Sequence, residues 1–259
     1  MGKNWWRVLA GLLVIVIGVA LLLEQFGWLR LSGRFWGSLL LVVGGLSFVS
    51  LWLSHTAQWW PLIPGGILLG WGAATLLHMV GVAEWLVLAL GFTCSALPFF
   101  YIFFKLGPRE TWWALIPAST LAGWGLGSVL QQFGLPHALF LVSGFLGTAV
   151  PFLYVFFLER ERNWWALIPG GVLVFVGLAM AGGTLLGEAW VASLILWGIA
   201  LVFAAVFVAD LRQWWALIPA GVLAVVGLGV SPLGPALQYI GPLLIIVVGV
   251  ALLLRGFRR

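Results

Sequence analysis

Charge is scarce in this chain. Only 7% of its residues are Asp, Glu, Lys or Arg, against 63% hydrophobic. A soluble globular domain carries roughly 25% charged residues, so no water-soluble surface can be built from this sequence. The few charges also avoid the middles of the apolar runs, where no Asp, Glu, Lys, Arg or His falls. Ion-coupled transporters and pumps place such groups at mid-membrane to bind ions or pass protons. An intramembrane hydrolase needs an acid–base pair or a cluster of metal ligands. The sequence therefore weighs against both classes, and neither an enzyme nor a bound cofactor or metal is expected. Cysteine is nearly missing too. Cys94 stands alone in an apolar run and can form no intrachain disulfide. The formal net charge of +5 is no nucleic-acid signature in so apolar a chain.

What is present is a repeated stretch. Trp-Trp-Pro-Leu-Ile-Pro begins at Trp59, and Trp-Trp-Ala-Leu-Ile-Pro begins at Trp112, Trp164 and Trp214. A degenerate copy, Trp5-Trp6-Arg7-Val8-Leu9-Ala10, opens the chain. The first Trp falls at 5, 59, 112, 164 and 214, in steps of 54, 53, 52 and 50. A period of this kind marks an internal repeat. The whole sequence reads as one membrane domain, residues 1–259. Its repeats are residues 1–54, 55–107, 108–159, 160–209 and 210–259.

Each repeat holds two continuously apolar segments, near 8–25 and 35–53, 63–80 and 85–104, 115–132 and 137–158, 167–184 and 189–209, and 217–232 and 238–254. An α-helix needs about 20 apolar residues to cross the hydrocarbon. The runs lack the alternation of a barrel strand, which leaves helices. The expected fold class is an all-α polytopic membrane protein of ten helices in five tandem hairpins. Two spans per repeat return the chain to its starting side, so the repeats share one orientation. The basic, apolar N-terminus resembles a signal peptide, but no small-x-small site follows Leu23. It reads as a retained first span.

Lys and Arg give the expected sidedness. Lys3, Arg7, Lys105, Arg109, Arg160, Arg162, Arg212, Arg255, Arg258 and Arg259 lie on the N-terminal side, and only Arg30 and Arg34 lie opposite. The positive-inside rule places both termini in the cytoplasm. The pairs Trp5–Trp6, Trp59–Trp60, Trp112–Trp113, Trp164–Trp165 and Trp214–Trp215 then fall at the cytoplasmic interface. Indoles prefer that depth, so these ten are read as anchors. Pro64, Pro117, Pro169 and Pro219 are read as helix-entry residues, in a first-turn slot where a missing N–H costs nothing. The alternative is a helix capped by Thr111 or Asn163 that kinks at the Pro. A second pattern joins Pro98 to Pro151, each preceded three residues earlier by a hydroxyl, Ser95 or Thr148. Such a hydroxyl is placed to satisfy a carbonyl freed by the Pro.

Residues 11–27, ending Glu24-Gln25-Phe26-Gly27, and residues 35–45, Phe35-Trp36-Gly37 through Gly44-Gly45, form an apolar helix, an FGxL-like turn and a Trp-led second helix. Gln131-Gln132-Phe133-Gly134-Leu135 repeats part of it. This stretch resembles the LiaI/LiaF-like transmembrane region of bacterial envelope-stress proteins. The resemblance covers about 50 residues. It implies a multi-pass protein of the bacterial cytoplasmic (inner) membrane, and it carries over no functional residue. The soluble domain usual in that family is missing from this sequence, and five tandem copies depart from its layout.

Eighteen residues after the second Trp stand Glu24, His78 and Gln131, a polar row that forms either an outer-mouth site or ordinary helix-end polarity. The second reading is favoured. His55, His78 and His137 share no helix face, which disfavours a pigment site. Tyr101 and Tyr154 read as interfacial aromatics, and residues 159–162, Glu-Arg-Glu-Arg, as a solvated loop with internal charge pairing. The expected function is a non-enzymatic scaffold or sensor-type protein acting by helix packing. Its partners are the lipid bilayer and either other membrane proteins or itself. The alternative is a channel or carrier for a neutral or apolar solute. That reading requires Ser47, Thr75, Ser95, Ser119, Thr120, Ser128 and Thr148 to converge on one passage.

Overall fold

The computed structural model describes residues 33–237, together with residues 15, 18–19, 22–27, 239 and 246. The described residues are helical, with no strand among them. In chain order the helices are α1 (Gly33–Ser54), α2 (Leu62–Met79), α3 (Glu84–Leu106), α4 (Leu115–Gln132), α5 (Ala138–Leu158), α6 (Leu167–Leu186), α7 (Val191–Ala209), α8 (Leu217–Val230) and the short α9 (Gly234–Leu237). Among the described residues, seven helical stretches are long and apolar enough to cross a membrane by length and composition. They fit a multi-pass membrane protein. The stretch Trp214–Val230 is shorter, so the span expected at 217–232 ends early, at Val230. The spans expected at 238–254 and over most of 8–25 lie outside the described residues.

Each helix packs on the helices before and after it in sequence. Among the described residues, backbones of helices further apart do not approach each other. The helices therefore run as a row. Their registers are antiparallel. A Cβ added to Gly65 would meet Val49, one on Gly72 would meet Val42, and one on Gly45 would meet Leu69. The same helix α2 carries Gly66 and Gly70 on a second side, against Pro98 and Cys94 of α3. Small residues on two sides let each helix touch two neighbours closely. The remaining side carries Ile67, which stays exposed. Water would not tolerate so many exposed apolar side chains in one row, whereas lipid tails do.

Between α4 and α5 the approach is closest. A Cβ on Gly123 would strike the Ser143 carbonyl, and one on Gly147 would strike the Ser119 carbonyl. Four of the described helix ends away from the Trp side run into a positive-φ glycine, Gly27, Gly81, Gly134 and Gly187, whereas α8 ends at Val230 and Ser231 without one. Gly27 and Gly134 take φ of +73° and +70°, the left-handed stop that lets an N–H turn back onto the helix. Their N–H groups donate to the carbonyls of Glu24 and Gln131, at 3.0 and 3.1 Å. The FGxL-like turn is therefore a helix terminator.

The entry prolines differ from expectation by two residues. The α-helices begin at Leu62, Leu115, Leu167 and Leu217, and the Pro follows as the third helical residue. The first four N–H groups of a helix have no intrahelical partner, so Pro is tolerated at the third position as at the first. The Trp pairs occupy single 3₁₀ turns before the helix, Trp112–Ala114, Trp164–Ala166 and Trp214–Ala216. The turn closes through the Ala N–H, as in Ala114 donating to Thr111 at 2.9 Å. Pro61 has no N–H and stands where those repeats have Ala, so the pair at Trp59 lacks this 3₁₀ turn.

Candidate functional site

The residue before each Trp pair is polar, and its role is not that of an N-cap. Thr111 and Asn163 make no side-chain bond to the helix that follows them. Asn163 instead reaches back and donates from Nδ2 to the Val155 carbonyl at 2.9 Å. Thr111 donates from Oγ1 to the Gly107 carbonyl at 2.9 Å and lies 3.5 Å from the carbonyls of Ile102 and Phe103. The last carbonyls of a helix have no intrahelical donor. These side chains close the end of the preceding helix and hold the turn against it. Sequence reading missed this because the target lies eight residues upstream across a turn.

Held in that way, the Trp pairs reach one another. Adjacent residues of a 3₁₀ turn point about 120° apart, so one ring of a pair faces the next repeat and the other faces the previous one. Trp59 meets Trp113 with ring centroids 5.8 Å apart. Trp112 meets Trp165 at 6.4 Å, and Trp164 meets Trp215 at 6.0 Å. The rule is constant: the first Trp of one pair contacts the second Trp of the following pair. Such aromatic pairs contribute about 0.5–1.5 kcal/mol beyond their buried area. Trp5 and Trp6 lie outside the described residues.

The aromatic residues of the second helices stand beneath this row. Tyr101 packs edge-on against Trp52 at 5.7 Å, and Tyr154 against Phe103 at 5.8 Å. Trp59, Ile63 and Tyr154 pack on the buried group Ile102, Phe103, Ala114 and Leu115. Trp112 and Tyr154 pack on Val155, Phe156 and Ala166. These contacts bridge alternate helices whose backbones do not meet. Both tyrosines thus take part in packing between repeats, beyond the interfacial role expected of them.

No family model, curated protein or solved structure matches this chain. Function is therefore argued from the geometry.

The remaining candidates are local. Glu24 accepts a bond from Trp36 Nε1 at 2.7 Å, and Gln131 Nε2 is 2.7 Å from His137 Nδ1. Each of these two bonds closes within one repeat, and His78 is exposed. His55 and His137 are exposed too. In the loop at 159–162, Arg162 pairs with Glu159 at 3.2 Å and Arg160 lies over the Phe157 ring at 5.2 Å. A shallow recess beside that loop is lined by Glu161, Arg162, Ala209, Asp210 and Arg212. Asp210 accepts from the Arg212 backbone N–H at 3.0 Å and from Gln213 Nε2 at 3.1 Å. The backbone bond first, then the Gln213 bond, hold its carboxyl below the usual carboxylate range.

Seven hydroxyls in the spans behave alike. Ser47, Thr75, Ser95, Ser119, Thr120, Ser128 and Thr148 each donate to the carbonyl four residues earlier, at 2.6–3.0 Å. For Ser95 and Thr148 this corrects the expectation. A proline frees the carbonyl four residues before it, which here means Cys94 and Gly147. The two hydroxyls bond Gly91 and Gly144 instead. Their own helical geometry sets the choice, since a hydroxyl reaches most easily to the carbonyl one turn back.

Proposed function

We propose that this chain is a non-enzymatic membrane scaffold of the bacterial inner membrane. In this reading it has ten spans in five hairpin repeats and both termini in the cytoplasm. It works by packing against lipid, against partner helices or against itself. The observation that carries the reading is the row of Trp contacts, repeated at three successive junctions. A contact rule that recurs with the period of the sequence builds an extended surface and needs no central site. The solenoid logic is the same, with each repeat stabilised by its neighbours. The charge bias of the loops supports the cytoplasmic side for the Trp row. The resemblance of repeat one to the LiaI/LiaF-like region supports the bacterial envelope.

The hydroxyls weigh against a solute passage. Each spends its proton on its own helix, which leaves none of the seven a hydroxyl proton to offer a solute. A permeability assay tests the reading. Liposomes holding the purified protein should swell in neutral solutes at the rate of empty liposomes. Protein-dependent swelling would replace the scaffold with the channel.

A further inference from the structure

We propose that the recess between the turns at 159–163 and 209–213 holds the headgroup of a phospholipid that carries both a phosphate and a primary ammonium. The proposal rests on the reading that the chain packs against lipid, and it names one lipid and its place. Two successive junctions build the recess. Glu161 and Arg162 come from the turn before Trp164, and Ala209, Asp210 and Arg212 from the turn before Trp214. The rings of Trp164 and Trp215, which follow those turns, meet at 6.0 Å and tie the two walls together. The recess measures about 430 Å³, within the range of small-ligand sites.

Its lining is balanced in charge, with two guanidinium groups, Arg162 and Arg212, and two carboxylates, Glu161 and Asp210. These groups do not neutralise one another. Among the described residues, the one ion pair joins Arg162 to Glu159, which is not part of the lining. An exposed pair of that kind is worth little and exchanges readily for another partner. Asp210 is held by its own turn, through the Arg212 backbone N–H and Gln213. The Arg212 guanidinium and Glu161 are left without an ion-pair partner among the described residues. A simple anion would sit beside two carboxylates, and a simple cation beside two arginines. A headgroup with both signs suits the lining. Phosphate oxygens match the directed N–H donors of arginine. A primary ammonium brings three N–H donors to the carboxylates, whereas a quaternary one brings none. The setting favours a lipid over a soluble molecule of the same chemistry. The recess begins where a helix of membrane length ends, at Ala209. Val208 and Leu211 bracket Ala209 and Asp210 and are 75% and 70% exposed. Charged groups with bare apolar side chains beside them fit an amphipathic ligand at the membrane surface.

Native mass spectrometry of the detergent-purified full chain tests this. The probes are dioleoyl phosphatidylethanolamine, phosphatidylcholine and phosphatidylglycerol, added in turn. The ethanolamine lipid should bind most tightly. Arg212→Ala should weaken the ethanolamine and choline lipids alike, by about two- to fivefold, the effect of one exposed charge contact. Glu161→Gln should weaken the ethanolamine lipid alone and bring it to the level of the choline lipid. Both residues are exposed, so neither substitution opens the packed core. Arg109→Ala removes a cation from an earlier turn and should change nothing. Soluble phosphoethanolamine should displace no lipid at equal concentration. Equal binding of the three lipids, tightest binding of phosphatidylglycerol, or equal losses in the Arg109 and Arg212 variants would overturn the proposal. Displacement by the soluble headgroup would overturn it too, by assigning the recess to a soluble ligand. The scaffold reading would survive each of these results, because the swelling assay tests it separately.

Discussion

The residues that shape this molecule do so through short-range chemistry. Trp164 contacts Trp215 and Trp165 contacts Trp112, so the pair ties three repeats together. Replacing both by Ala should cost about 2–5 kcal/mol in a detergent unfolding titration. Trp214→Ala should cost clearly less than Trp164→Ala, because Trp214 is exposed. Equal losses would mean that the contact of Trp164 with Trp215 adds no stability. Asn163→Ala removes the bond to the Val155 carbonyl. About 1 kcal/mol of destabilisation is expected, and Asn163→Asp, with no donor on its carboxylate, should not restore it. A variant as stable as the parent would show that water closes that helix end instead. Asp210 adds a pH dependence. Its folded-state pKa is lowered, so its bonds stabilise the chain above the unfolded carboxylate pKa and are lost as pH falls through the folded one. Asp210→Asn should therefore flatten the acid side of the melting-temperature profile. An unchanged acid limb would contradict this.

At the scale of helices, glycine placement decides which sides touch. A Cβ on Gly72 would sit 2.8 Å from Val42 Cγ2 and 2.9 Å from its backbone nitrogen. Gly72→Ala should thus force α1 and α2 apart and cost about 1–3 kcal/mol. Gly37 on α1 has no heavy atom within 4 Å of such a Cβ. Gly37→Ala should be neutral, or stabilising by up to about 1 kcal/mol, because Ala suits a helix better. The same unfolding titration checks both, and the reverse order would refute the assigned helix sides. Much of this level was legible in the sequence. The spans from 35–53 to 189–209 could be placed because continuous apolar runs of membrane length admit only helices. The described spans after the Trp pairs begin where expected to within a residue, but the Pro read as the first helical residue stands third, because Pro at the third position leaves no more N–H groups unsatisfied than Pro at the first. The back-reaching bonds of Thr111 and Asn163 were not legible. They depend on how a turn folds over the end of the previous helix, which no local pattern encodes.

For the whole molecule, the sequence period indicated that equivalent residues recur, but not which ring would meet which. That depends on the direction of each side chain in a 3₁₀ turn and on the distance between repeats, and both emerge only when helices pack. The central claim is that the chain threads the membrane as an antiparallel row, with every Trp pair at one face. Single cysteines in a Cys94→Ala background, at positions 110, 161 and 211 by the Trp pairs and at 81, 134 and 187 at the opposite turns, measure it directly. A membrane-impermeant thiol reagent applied from outside the cell should label 81, 134 and 187 and spare 110, 161 and 211 until the membrane is opened. Labelling of 161 but not 134 from outside would reverse the sidedness. Labelling of 110 and 161 from opposite sides would break the row itself.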